Sequence, residues 1–227
     1  MRRAILLFCL LLAACGRPLT PAEKSFATQI HGDSLDVSRV RLHDGALIGK
    51  ATYPRPKRPR LACRERIVPE PRGETVTVSP AAIVLFNRIF WARDWYRDNF
   101  LPDYPARYDL VSAMILAHEI THVWQWQNRR ETGYSPFRAA REHGRSADPY
   151  LFDVSTDTAF LDHGYEQQAS IVEEYVCCAT LDPDAPRTRR LEQMLRGAFP
   201  LEELVIPDAV YLPWKGVQVE GICRPDR

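Results

Sequence analysis

The sequence predicts an α+β fold in which a small antiparallel or mixed sheet packs on two helices that carry the candidate functional side chains. Three observations lead there. The stretch Leu110 to Val123 is almost wholly apolar yet contains His118, Glu119 and His122 in an HExxH pattern. A second helical pattern runs from Tyr165 to Ala179, with Glu166 and Glu173 seven residues apart. Short β-branched runs, Glu74 to Ser79 and Ala82 to Phe86, stand upstream and are too brief for helices.

The elements follow in chain order. Arg2 and Arg3 precede the apolar run Ala4 to Leu12, which is too short to span a bilayer. Leu12-Ala13-Ala14-Cys15 resembles a bacterial lipobox, which implies removal of residues 1–14 and lipid attachment at Cys15. Residues 15–19 would then be a lipidated tether and 20–227 a single domain. Gly16 after the cysteine favours the outer membrane of the cell envelope, facing the periplasm. Thr20 to Ile30 suits a short helix with Thr20 or Ser25 as its cap. The second half of Gly32 to His43 alternates like a strand. Residues 53–72 interleave prolines with Arg55, Lys57, Arg58, Arg60, Arg64 and Arg66, which rules out a central strand. This segment reads as a solvated loop, with a basic rim beside a cleft as the alternative. The aromatics from Phe90 to Phe100 suit core packing.

Asp109 is placed to cap the HExxH helix, and residues 129–163 after that helix are polar and turn-rich. Asp182 to Pro186 is a turn, Arg187 to Arg196 is helical, and the chain from Phe199 is irregular. The formal net charge of +1 argues against nucleic acid as the partner. Apart from Cys9 and Cys15, the cysteines are Cys63, Cys177, Cys178 and Cys223. An even number in an oxidising space favours two disulfides. Cys177 and Cys178 point about 100° apart on a helix. Each therefore takes a different partner, Cys63 with one and Cys223 with the other.

A helix as apolar as 110–123 is buried, and burying two imidazoles and a carboxylate is costly unless something binds them. His118 and His122, four residues apart, project from one face and can grip one metal ion, with Glu119 beside it as general base. Catalytic zinc keeps three protein ligands and an open position, so a third ligand is needed. Glu166 is assigned that place, with Ala169 and Ser170 on the same face allowing close approach of the two helices. Glu173 is the acceptor behind a ligand histidine, or the alternative ligand. Glu174 falls about 80° away, on a side expected to be more exposed. One Zn²⁺ would polarise the scissile carbonyl and activate water, and Glu119 would move the proton. His143, His163, Tyr134 and Tyr165 are the candidate oxyanion stabilisers by type and position.

The segments Gly32 to His43 and Leu116 to Gln125 together resemble the metallopeptidase domain associated with extracellular contractile injection systems. Tyr165-Glu166-Gln167-Gln168-Ala169 is similar to the downstream glutamate motif of gluzincin-like proteins. The resemblance spans about residues 20–180 and departs in the proline-rich insertion and the paired cysteines. It implies a zincin-like fold and, with the lipobox, a membrane-anchored zinc metallopeptidase that hydrolyses peptide bonds of envelope or extracytoplasmic proteins. The alternatives are a non-catalytic envelope scaffold or binding lipoprotein of the same fold, and a zinc hydrolase of a non-peptide amide bond.

Overall fold

The computed structural model describes residues 16–46, 49–54, 59–143 and 148–224. The expected signal segment and the lipidation site Cys15 lie outside the described residues. The elements are β1 (Arg17–Pro18), α1 (Pro21–His31), β2 (Arg41–Ala46), β3 (Ala51–Pro54), α2 (Cys63–Arg66), β4 (Thr75–Val78), β5 (Ala82–Leu85), β6 (Arg88–Ala92), β7 (Arg107–Asp109), α3 (Leu110–Gln127), α4 (Arg129–Thr132), α5 (Pro136–His143), α6 (Tyr165–Leu181), α7 (Pro186–Arg196) and β8 (Ala209–Tyr211). The chain is α+β.

The larger sheet has the order β1-β2-β6-β5, with β2 parallel to β6 and the other pairs antiparallel. β3 and β4 form an antiparallel pair, and β7 and β8 a parallel one. Leu42, Ile89 and Trp91 are buried in the core beneath the larger sheet, while β5, at its edge, leaves Ile83 and Leu85 exposed. Phe86 takes φ 61° in the two-residue turn from β5 to β6, and its ring lies 4.6 Å from that of Trp126 on α3. The turn is held to the end of α3 by Gln127, whose Nε2 donates to Asn87 Oδ1 at 2.9 Å. These contacts fix the edge strand against the helix that carries HExxH.

Local chemistry accounts for the helix ends. Thr20 and Glu23 form a reciprocal capping box at α1. Fully buried Glu23 is satisfied by a two-pronged pair with Arg17, at 2.7 and 2.8 Å, and by the backbone N–H groups of Thr20 and Phe100. Arg17 and Pro18, which the sequence places in a tether, are thereby built into the sheet. Asp109 caps α3, accepting from the Ser112 N–H at 2.7 Å. Such a cap contributes about 1 kcal/mol.

Three local expectations are revised. Val37–Arg39 is a short 3-10 turn capped by Asp36, so β2 begins only at Arg41. The polar segment after α3 contains α4 and α5, and the proline-rich segment contains the last two residues of β3 and all of α2. Of these helices α2 and α4 are single turns, too short to give a periodic signal.

α3 packs most extensively against α6, where Ala169 and Ser170 are completely buried and let the helices approach closely. Two disulfides surround α6. Cys63–Cys177 ties α2 to it, with Cα atoms 6.0 Å apart, and Cys178–Cys223 ties down the tail at 5.7 Å. The side chains of Cys63, Cys178 and Cys223 lie close together, but their sulfurs are consumed in these bonds and are not thiolate ligands. Among the described residues no helix is long and apolar enough to cross a membrane.

Candidate metal centre

α3 and α6 present His118, His122 and Glu166 to one another, and all three are buried. Glu166 Oε2 lies 3.4 Å from His118 Nε2 and 3.3 Å from His122 Nε2. One donor atom from each residue falls within 4.8 Å of the others, so the group could hold a metal ion. The separations are long for charge-assisted hydrogen bonds, which run at about 2.7–2.9 Å. They suit donors sharing an ion instead, because two bonds of about 2.1 Å at a tetrahedral angle span roughly 3.4 Å. The donor set fits.

A second layer orients the imidazoles. Gln125 donates through Nε2 to the Tyr165 carbonyl and to Gln168 Oε1, both at 2.9 Å, which turns its own Oε1 toward His122 Nδ1 at 2.8 Å. That oxygen only accepts, so His122 carries its proton on Nδ1 and offers a bare Nε2 to the centre. His118 Nδ1 lies 3.3 Å from Glu173 Oε2, which also receives Arg64 Nη1 at 3.4 Å. Glu166 is set at the start of α6 by Glu142, whose carboxylate accepts from the Tyr165 N–H at 2.9 Å. An acidic group from α5 thus sits on the positive end of the helix that bears the third donor.

Burial works against charging His118, but the carboxylates of Glu166 and Glu173 and the charge of Glu119 outweigh it and push the imidazole up to about 10. His122 moves the same way, with Glu166 overcoming burial. Glu119 is raised, because burial outweighs the two nearby histidines. Glu173 is lowered despite its burial, by His118 and Arg64. Glu166 and Glu119 are buried together with the two imidazoles, a group that a shared cation could satisfy.

Tyr134 and Tyr150 flank the centre, their rings 6.3 Å from His122 and 5.9 Å from His118. Burial, followed by the charges of Glu166 and Glu119, raises both phenols well above their ordinary value. Of the oxyanion candidates from the sequence, Tyr134 is beside the centre and Tyr165 stacks edge-on against it at 5.1 Å. The His163 carbonyl accepts from Gln168 Nε2 at 2.8 Å. The side chain of His143 lies outside the described residues.

Sequence reasoning missed Gln125, Glu142, Tyr150 and Arg64. Gln125, one turn beyond His122 on the same face, was the one that spacing could have found. Arg64 belongs to the stretch read as a solvated loop, and the disulfide beside it brings it to the centre. Glu174 is corrected outright. It is fully buried, accepting from the Cys63 N–H at 2.7 Å and from Arg187 at 3.0 Å.

No family model matches the chain. The type VI secretion system spike protein VgrG2b of Pseudomonas aeruginosa is 27% identical to it over 165 residues, which is 72% of this chain but 13% of that protein. Among solved structures, the effector domain of Pseudomonas aeruginosa VgrG2b superposes with a TM-score of 0.51 at 22% identity, covering 83% of this chain and 86% of that one. The chain shares the fold of that domain and spans only a small part of the full spike protein. These findings correct the sequence-derived resemblance. The likeness is to the VgrG2b effector domain, not to the metallopeptidase domain associated with extracellular contractile injection systems. The composite role that the resemblance and the lipobox implied together, a membrane-anchored peptidase acting on envelope proteins, is corrected to likeness to an effector domain.

Proposed function

We propose that this chain is an effector-type hydrolase domain that binds one Zn²⁺ through His118, His122 and Glu166 and cleaves a peptide amide bond. The observation that carries the reading is the convergence of those three buried donors beside Glu119. Two imidazoles and one carboxylate form a donor set characteristic of catalytic zinc. When bound, the ion supplies Lewis acidity and makes a nucleophile available at neutral pH.

The remaining work falls to the protein. Glu119, whose pKa is raised by burial, accepts the proton of the attacking water and hands it to the leaving nitrogen. Tyr134 and Tyr150, whose rings lie beside the two imidazoles and whose phenols stay protonated, are the hydroxyl donors for the oxyanion. Gln125 and Glu173 hold the imidazoles in the orientation that faces the donors. Effector action fits the likeness to the VgrG2b domain, and the two disulfides suit an oxidising compartment outside the cytoplasm.

Metal analysis of the purified chain, together with cleavage of a broad peptide library, tests the reading. His118→Ala, His122→Ala and Glu166→Ala each lose zinc. Glu119→Gln keeps zinc and loses at least about a hundredfold in turnover, the usual worth of a general base. A wild-type chain that binds no zinc, or that binds zinc and cleaves nothing, overturns it.

A further inference from the structure

The two imidazoles are held from behind in different ways. His122 Nδ1 meets Gln125 Oε1 at 2.8 Å, a neutral partner on the same helix. His118 Nδ1 meets Glu173 Oε2 at 3.3 Å, a carboxylate on another helix. A carboxylate largely withdrawn from water needs a counter-charge. Among the described residues the cation paired with Glu173, apart from the imidazole itself, is Arg64, whose Nη1 stands 3.4 Å from the same Oε2. The guanidinium also reaches Ser170 Oγ at 3.3 Å and the Tyr150 carbonyl at 3.2 Å, and lies 5.8 Å from the centre of the Tyr150 ring. One side chain therefore gathers Glu173 and Tyr150 on the Nδ1 side of His118.

Local structure does not hold Arg64 in this place. It sits in α2, a single turn of four residues, and Ala62 at its start gives no side-chain cap. A turn that short is not stable by itself. What fixes it to α6 is the Cys63–Cys177 bond, at the residue next to Arg64, together with the Cys63 N–H donated to Glu174 Oε2 at 2.7 Å. Arg187 adds a hydrogen bond to the Leu61 carbonyl at 2.7 Å, and Arg66 one to that of Ile222 at 2.8 Å. A crosslink that closes a loop of 114 positions restricts the chain more than any one of these hydrogen bonds does.

We propose, on the zinc-binding reading above, that Arg64 is a positioning residue for the metal centre and that closure of the Cys63–Cys177 disulfide puts it in place, so that metal affinity depends on oxidation of this chain. Closure joins the two sulfurs, and their two protons and two electrons pass to a disulfide oxidant, which leaves as two thiols. With the thiols open, α2 is free to leave α6 and Arg64 goes with it. Glu173 then lacks the cation that keeps it behind His118, while the metal donors on α3 and α6 are chemically untouched. Cys178–Cys223 supplies the internal comparison, because the cation beside Cys223, Arg224, pairs with Asp182 at 3.1 Å instead. A chain in a reducing space holds metal weakly, and full affinity arrives with oxidation.

The test is a double-mutant cycle read as zinc affinity, by chelator competition on the full chain, with the fold checked by circular dichroism. Arg64→Gln lowers affinity about tenfold, the lower end of what the partners that orient metal ligands contribute. Arg64→Lys keeps the charge and recovers most of the loss. Cys63→Ala with Cys177→Val removes the crosslink, fills a fully buried site with apolar groups and takes away two thiols that would compete for zinc. It also lowers affinity about tenfold. Combined with Arg64→Gln it loses no more than either alone, because both act through one contact. Cys178→Ala with Cys223→Val stays within about twofold of the wild type. Unchanged affinity in Arg64→Gln overturns the proposal by itself. So do additive losses, near a hundredfold in the combined variant, and equal losses from the two cysteine pairs. Failure of Cys63→Ala with Cys177→Val to fold, where Arg64→Gln folds, also overturns it, since the crosslink then serves the fold and not the centre. Zinc bound with the expected pattern but no peptide cleaved refutes the proposed function and leaves the redox dependence standing, whereas cleavage with an affinity indifferent to Arg64 does the reverse.

Discussion

His31 gives this protein an acid-labile point that the sequence alone does not announce. The side chain is fully buried between Trp124 and Phe199, with ring centroids at 6.0 and 4.8 Å, and its Nδ1 makes no hydrogen bond. Burial lowers its pKa from 6.5 to about 3. Between those values the unfolded chain binds a proton that the folded chain refuses, so stability rises with pH across the window. The contribution is fully present above about 6.5 and is lost as the pH falls toward 3, at about 1.4 kcal/mol per pH unit. From pH 7 to pH 5 the loss comes to about 2 kcal/mol.

The comparison is with His31→Phe, which keeps a ring of similar size and orphans no partner, since Thr121 Oγ1 already donates to the Ala117 carbonyl at 2.8 Å. Urea unfolding of both proteins at pH 7, 6 and 5 gives the two stabilities. Their difference isolates His31 from the titration of His118 and His122. His31→Phe gains about 2 kcal/mol on the wild type between pH 7 and pH 5. A difference that stays constant over that range refutes the argument, because His31 would then be charging in the folded protein.

Three further outcomes follow from the packing. Gln125→Leu frees His122 Nδ1 from its acceptor, and zinc affinity measured by chelator competition drops by about ten- to a hundredfold with the fold intact. Glu174→Gln leaves buried Arg187 without its counter-charge and costs about 3–5 kcal/mol in urea unfolding, whereas Glu192→Gln, in an exposed pair with Arg196, costs less than about 1 kcal/mol. Cys63→Ser with Cys177→Ser opens a crosslink across 114 positions and lowers stability by about 2–5 kcal/mol, read from the shift in thermal midpoint under non-reducing conditions.

The sequence by itself determined what is local or periodic. The α+β class, the capped helix from Leu110, the shared face of His118 and His122, and the seven-residue spacing of Glu166 and Glu173 on α6 are consequences of helical geometry and short-range capping. The adjacency of Cys177 and Cys178 likewise required two partners in two directions. Tertiary structure decided the rest. Which cysteine takes Cys63, which carboxylate faces the two imidazoles, and that Glu174 faces inward to Arg187 depend on how α2, α3, α6 and α7 pack. No periodicity within one element encodes that packing. Arg64 reaches Glu173 across 109 positions of chain, and Glu142 caps α6 from another helix. Such contacts are set by the burial of whole faces and by crosslinks that close long loops, so they exist only once the chain has folded.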